Sequence, residues 1–259
     1  MGFAIIGSAE ARYLAATDIL IGDMSNINYE FLLFNRPVIL LANDWIIKYF
    51  PDFGIKTSID KMEEAILRSI KNPNEFENER KFWLDIALAN PENGASKKYI
   101  DIALEKSNFK NPKFALLDGN NAVRKTNLDP LFNELKRRKL NVTMTSGIKD
   151  LNQCYEETVF FGAHFDDLKK INYGYSIHID HDLKAPSTAN LAQAVKDYKK
   201  NQYFDNIQLH ITTGTGGEHR TQFVLGKNKD RVVIGGYAKA DDLISSNHPG
   251  IKAEVCKEL

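Results

Sequence analysis

An acid, a hydroxyl and an amide follow an apolar run in "DILIGDMSNINYEF", residues 18–31: Asp23, Ser25 and Asn26. A mostly apolar strand of a parallel sheet is buried on both faces, so its polar end belongs at the carboxyl edge, where such sheets hold ligands. Ser25 or Asn26 then caps the next helix, and the free N–H groups and positive dipole end of a helix suit a phosphate. Glu30, one turn further on, is placed to accept hydrogen bonds from ribose hydroxyls or a base. The plainer alternative is a strand-end acid followed by ordinary caps. A second constellation is "YSIHIDHDLKAP", residues 175–186, where Asp180 and Asp182 flank His181. An imidazole titrates near neutral pH and can take a proton from an attacking hydroxyl, with either acid orienting the ring. It reads equally as a strand-end histidine with a local hydrogen bond. His178 and Asp180 fall on one face of that strand and His181 on the other, so the ligands a transition metal needs do not converge, and no metal site is expected.

Weaker candidates complete the chemistry. "TTGTGGEHR", residues 212–220, lacks the ending of a P-loop and reads as a flexible loop, with His219 and Arg220 able to touch an anionic acceptor. "ELKRRK", residues 134–139, reads as a solvated basic helix end, a type of cluster that also suits anionic lipid headgroups.

The elements that must position these residues follow from periodicity. An Ala-rich helix runs from a Ser8 cap through Ala16, then a strand "DILIG", a helix "NINYEFLLF" and a strand "RPVILLA". Asp60 and Glu63 have capping-box spacing ahead of a helix carrying Met62, Ala65, Ile66, Leu67 and Ile70. Further helices are expected near 75–89 and 95–106. The polar stretch "EKSNFKNP" marks a boundary at 107/108, giving domains 1–107 and 108–259. The second half restarts with a strand "KFALLDG", a helix "LDPLFNELKRRK" and a strand "NVTMTSG", and later strands are expected at "YSIHID", "NIQLHIT" and "RVVIGG". Two α/β, Rossmann-like parallel-sheet units are the simplest account.

Composition narrows the function classes. With 34 basic and 34 acidic residues there is no global field to favour nucleic acid. Two cysteines, far apart, signal neither a disulfide framework nor a zinc site, so a reducing cytoplasm is the default. No apolar stretch approaches the roughly 20 residues of a membrane span, which limits membrane contact to the periphery.

"AATDILIGDMSNINYEFLLFNRPVILLANDW" resembles a segment of the CDP-glycerol glycerophosphotransferase family: an alanine-rich helix, a strand ending in Asp-x-Ser-Ser, an aromatic-acid helix and a Pro-led strand. Asp23, Ser25, Glu30, Arg36 and Pro37 agree with that pattern, while Asn26 replaces the second serine and Met24 the usual aromatic. "NGAS" at 93–96 is similar to the family's closing Gly-Ser segment. "RVVIGGYAKADDLIS" resembles the Gly-Tyr-Pro-Lys-x-Asp-x-Leu segment of the acceptor-side domain, matched by Gly236, Tyr237, Lys239 and Asp241, with Ala238 in place of proline. "YSIHIDHDLKAP" resembles the strand ending in His-Gly-x-x-x-Lys: His181 takes the histidine position, Asp182 replaces glycine, and Lys184 arrives one residue early.

The resemblance implies two units of GT-B type, at least one incomplete, with the nucleotide-side part preceding the acceptor-side part, the reverse of the family order. A tandem junction, a permuted relative and a non-catalytic remnant would each give that arrangement. It further implies transfer of a polyol phosphate from a CDP-linked donor, with no other cofactor, to a lipid-linked acceptor in teichoic-acid-like or capsular polymer synthesis at the inner membrane face. Asp23, Ser25, Asn26 and Glu30 would hold the donor, His181 would be the base, and Lys184, His219 and Arg220 would lie on the acceptor side. A nucleotide-sugar-dependent GT-B glycosyltransferase and a non-catalytic binding module are the alternatives.

Overall fold

The computed structural model describes residues 11–23, 25–89, 91, 94–117, 122–145, 157–163, 168, 171, 173–180, 206–225 and 230–258. The chain is mixed α/β with two sheets, both wholly parallel. It divides into two compact units, one of Met1–Ile86 with Asp242–Leu259 and one of Ala87–Asp241.

In the first unit, α1 (Ala11–Ala16), β1 (Leu20–Gly22), α2 (Ile27–Phe31) and β2 (Val38–Leu41) follow the expected order. A 3₁₀ turn, Leu32–Phe34, extends α2 and ends at Asn35, which takes the left-handed conformation at φ 48°. α3 (Asp44–Tyr49) and β3 (Ile55–Thr57) follow, and the sheet order is β1-β2-β3. Neither had been expected: β3 has only three residues, too few to display a period. Tyr29, Phe50 and Phe53 form a buried aromatic trio, with ring centroids 5.4 to 5.7 Å apart. Gly54 is required there, because a Cβ would stand 2.3 Å from the Val38 carbonyl oxygen. α4 (Met62–Lys71) is preceded by a 3₁₀ turn, Ile59–Lys61, instead of starting at an Asp60 capping box. Asp60 lies inside that turn, and a hydrogen bond from Ser58 lowers its pKa. α5 (Glu77–Ala87) carries Arg80, 1% exposed, whose Nε donates to Asn35 Oδ1 at 2.9 Å and Nη2 to the Pro73 carbonyl at 3.0 Å. The closing helix, α10 (Ile251–Glu258), packs Ile251 and Val255 on Ala15 of α1.

The second unit contains α6 (Ala95–Ser107), β4 (Lys113–Leu117), α7 (Ala122–Arg137), β5 (Val142–Thr145), β6 (Thr158–Gly162), β7 (Tyr175–Ile179), β8 (Leu209–Thr212), α8 (Thr215–Leu225) and β9 (Val232–Ile234). α9 (Lys239–Ser245) spans the division between the units. The order β5-β4-β6-β7-β8-β9 reverses direction between β4 and β6, which makes the carboxyl ends of those strands the topological switch point. One core joins α6 to this sheet through Tyr99, Ile100 and Ala103 with Phe114, Phe161, Ile177 and Ile211. Because α6 buries its apolar face on β4 to β8, the compact unit starts at Ala87, before the boundary anticipated at 107/108. α7 starts at Ala122, ahead of the expected 128, with Pro130 inside it. β6, "TVFFG", is buried at all five positions and lacks the alternation that would mark a strand.

Candidate functional site

Strand β1 ends at Gly22, and the next residues form a tight, exposed turn. The Asp23 carboxylate accepts the Ser25 backbone N–H at 2.9 Å, closing an Asx turn, and both side chains face solvent. Ser25 Oγ lies 3.5 Å from the Ile27 N–H, a long contact, so it caps α2 weakly. Asn26 makes no capping hydrogen bond from its side chain, contrary to expectation. Its backbone is already helical (φ −59°, ψ −22°), whereas a capping side chain works from an extended backbone. Glu30 is 3% exposed, so its carboxylate lies within the unit and away from the solvent face carrying Asp23 and Ser25.

A residue that sequence reasoning passed over sits beneath this turn. Asn28 is fully buried, and its Nδ2 donates to the backbone carbonyls of Asp23 at 2.6 Å and Ser25 at 3.1 Å. Nothing in the sequence marks it, since an asparagine between Ile27 and Tyr29 reads as an ordinary polar position of a short helix. Arg36, which agrees with the family pattern, has a structural task. Its Nη1 donates to the Ala15 and Thr17 carbonyls at 2.6 and 2.7 Å, tying the end of α1 to the start of β2.

In the second unit the carboxyl edge gathers a different set. A small recess is lined by Tyr99, Ala163, Ile179, Asp180, Tyr237 and Ala238. Asp180, which follows β7, is 6% exposed, and its Oδ2 would stand 3.3 Å from a Cβ on Gly217 in the first turn of α8. The carboxylate thus lies against the positive end of that helix, where a negative charge is favoured. Residues 215–220, expected in a loop, belong to α8. Glycine has low helix propensity, but at Gly217 a Cβ would stand only 3.3 Å from Asp180 Oδ2 and from Thr212 Cβ, a tight approach. His219 is exposed and Arg220 half-buried on this helix. His178 and His210 are register partners on β7 and β8, buried, with ring centroids 5.2 Å apart. His181 and Lys184, proposed from sequence as base and acceptor-side cation, lie outside the described residues.

The "GGYAKAD" segment after β9 is also fixed by packing. A Cβ on Gly235 would meet Ile211 Cγ2 at 2.2 Å and the Tyr99 ring at 2.6 Å, while Gly236 has φ 95°. The Tyr99 hydroxyl donates to the Gly236 carbonyl at 2.6 Å, and burial raises its pKa far above the ordinary phenol value. The Asp241 carboxylate accepts the backbone N–H groups of Ala95 and Ser96, both at 2.9 Å, and so caps α6 across more than half the chain.

The basic end of α7 is internally compensated. Arg137 and Arg138 both pair with Glu134, and Arg138 also with Asp101. The hydrogen bond from Arg137, followed by that from Arg138, holds the Glu134 pKa down at about 2. Among the described residues no group of three or more His, Cys, Asp or Glu is arranged to hold a metal ion, and no helix is long and apolar enough to cross a membrane.

Residues 6–76 match the family model for CDP-Glycerol:Poly(glycerophosphate) glycerophosphotransferase. The matched segment contains the whole of α1, β1, the Asp23–Ser25 turn, α2, β2 and β3. The likeness drawn for "YSIHIDHDLKAP" and "RVVIGGYAKADDLIS" lies beyond that range. No curated protein and no solved structure matches the chain.

Proposed function

We propose that the chain acts as a CDP-glycerol glycerophosphotransferase-like protein, moving a polyol phosphate from a CDP-linked donor to a hydroxyl of a lipid-linked acceptor during teichoic-acid-like or capsular polymer synthesis. The observation that carries this reading is the family match over residues 6–76. Within it an exposed acid-and-hydroxyl turn, Asp23–Ser25, stands at the carboxyl end of a parallel strand. On this reading the exposed Ser25 hydroxyl meets the donor's pyrophosphate, and Asp23 keeps the turn closed by accepting the Ser25 N–H. Asn26, half-buried beside them, lines the same approach. Glu30 acts from beneath as a buried support for α2, a change from the direct donor contact that its position alone suggested.

The chemistry assigned to the second unit is phosphoryl transfer with His181 as the base. The acceptor hydroxyl oxygen bonds to the phosphorus bearing the polyol, and the bond from that phosphorus to the bridging oxygen breaks. CMP leaves with the electron pair, and the hydroxyl proton passes to the imidazole. Lys184, His219 and Arg220 are assigned to the anionic acceptor, of which His219 is exposed on α8. A lipid-linked acceptor places the protein at the cytoplasmic face of a membrane, held there peripherally. Two domains of GT-B type, in the order nucleotide side then acceptor side, complete the proposal.

Calorimetric titration with CDP-glycerol, CDP and a UDP-sugar tests it. CDP-glycerol and CDP should bind, and Ser25→Ala should weaken both. Binding of the UDP-sugar alone would replace the polyol donor by a nucleotide sugar, and binding of none would remove the donor site. Turnover of CDP-glycerol unchanged in His181→Ala would remove the base assignment.

A further inference from the structure

We propose that Asn28 is the residue that sets the shape of the donor-binding turn, an assignment that rests on the reading of Asp23–Ser25 as the donor site. Asn28 is 0% exposed, and its Nδ2 donates to the Asp23 carbonyl at 2.6 Å and the Ser25 carbonyl at 3.1 Å. With both carbonyls held from beneath and the Ser25 N–H closed onto the Asp23 carboxylate, the turn presents the exposed Ser25 hydroxyl to solvent. The orientation of the amide is not interchangeable, because its oxygen would repel the two carbonyls that the nitrogen serves.

The other half of the amide shows that packing is not its purpose. Asn28 Oδ1 is buried and has no hydrogen-bond partner. Leaving an acceptor unsatisfied in the interior is unfavourable, and a leucine of similar volume would avoid it. The fold keeps an asparagine at this cost, so the advantage lies with the two donors. Gly22 belongs to the same device. A Cβ there would stand 2.1 Å from Asn28 Oδ1 and 3.0 Å from its Cγ, and only glycine leaves the amide its place.

Asn28 therefore acts as a positioning residue, working through the backbone carbonyls of Asp23 and Ser25. Asp23 and Ser25 are exposed, so their carbonyls can turn to water when the amide is removed, and the loss falls on the geometry of the turn more than on the fold.

The test compares wild type with Asn28→Leu, and with Gly22→Ala as an independent way of displacing the same amide. Three readouts are taken: melting temperature, hydrogen exchange at the Ser25 and Asn28 amides against Val38–Leu41, and calorimetric titration with CDP-glycerol. Asn28→Leu should keep its melting temperature and its β2 protection. Exchange in the turn should rise about tenfold, and the CDP-glycerol Kd should weaken by about tenfold or more, the scale of one lost hydrogen bond. If Asn28→Leu does not fold, Gly22→Ala must give the same local exchange and affinity signature. Wild-type exchange and wild-type Kd in a folded variant would overturn the assignment while leaving the donor site standing. A wild-type protein that binds no CDP-glycerol, with exchange still raised in the variants, would instead overturn the donor reading and with it the functional role of Asn28.

Discussion

Replacing Asp241 by alanine tests how the second unit is held together. The Asp241 carboxylate accepts two backbone N–H groups, from Ala95 and Ser96, each at 2.9 Å. These are donors that the first turn of α6 cannot satisfy internally. A lost cap is worth about 0.5–2 kcal/mol, and hydrogen bonds to a charged acceptor lie toward the upper end, so Asp241→Ala should cost about 2 kcal/mol. In a unit of about 155 residues that corresponds to a fall in Tm of roughly 4–8 °C. Asp241→Asn keeps one acceptor oxygen and should lose about half as much. Because α6 packs on the sheet through Tyr99 and Ile100, the effect must also appear locally. Hydrogen exchange at Ala95 and Ser96 should accelerate about thirtyfold, the kinetic equivalent of about 2 kcal/mol. Urea unfolding followed by circular dichroism gives the global value and exchange gives the local one. A change below about 0.5 kcal/mol, with α6 protection intact, would refute the cap as a stabilising contact.

Three further outcomes follow from the geometry. Gly235→Ala forces a methyl to within 2.2 Å of Ile211 Cγ2 and 2.6 Å of the Tyr99 ring, both buried, and should cost about 1–3 kcal/mol in urea unfolding. Arg80→Met keeps the volume but removes the donors to Asn35 Oδ1 and the Pro73 carbonyl, and should destabilise the first unit by about 2 kcal/mol, seen as an earlier unfolding transition of Trp83 fluorescence. Glu134 has its pKa lowered from 4.5 to about 2, first by the hydrogen bond from Arg137 and then by that from Arg138, so its stabilising effect is present above pH 4.5 and is lost as pH falls toward 2. The urea midpoint of wild type should therefore drop more between pH 5 and pH 3 than that of Glu134→Gln, and equal drops would show that the pairing contributes nothing.

What could be read from the sequence, and what could not, divides along one physical line. β2 and β4 were legible because apolar runs of four or more residues, bounded by polar or glycine residues, carry their own evidence, and β1, β7, β8 and β9 because shorter or alternating apolar stretches stop at such boundaries. The exposed turn at Asp23 and Ser25 was legible for the same reason, since it marks where such a run stops. Some misses are segments too short or too uniformly apolar to display a period, as β3 and β6 are, and others involve partners that only the fold brings together. Residues 215–220 read as a loop because their glycines argue against a helix, and the tight approach at Gly217 involves Asp180, far off in sequence just after β7. The pairing of His178 with His210 needs the β7/β8 register, which no local pattern supplies. Nothing marks Asn28 in the sequence because its two acceptors, the carbonyls of Asp23 and Ser25, carry no side-chain signature.

The same division bears on how a family pattern should be used as functional evidence. Arg36 lies in the matched segment, yet it ties α1 to β2, so agreement at that position supports a shared local structure before it supports a shared reaction. Asp23 and Ser25 differ from it in one respect: their side chains are exposed and spend their hydrogen bonds only within their own turn. A residue that packing already accounts for gives a ligand nothing to explain. The turn keeps an exposed hydroxyl at the end of a parallel strand, held from below by a buried amide that donates to two of its carbonyls. The argument for a donor therefore rests on that turn and on the part of the chain that matches the family, and the decisive measurement is whether CDP-glycerol affinity follows Ser25 and Asn28 while it ignores Arg36→Lys variants that still fold.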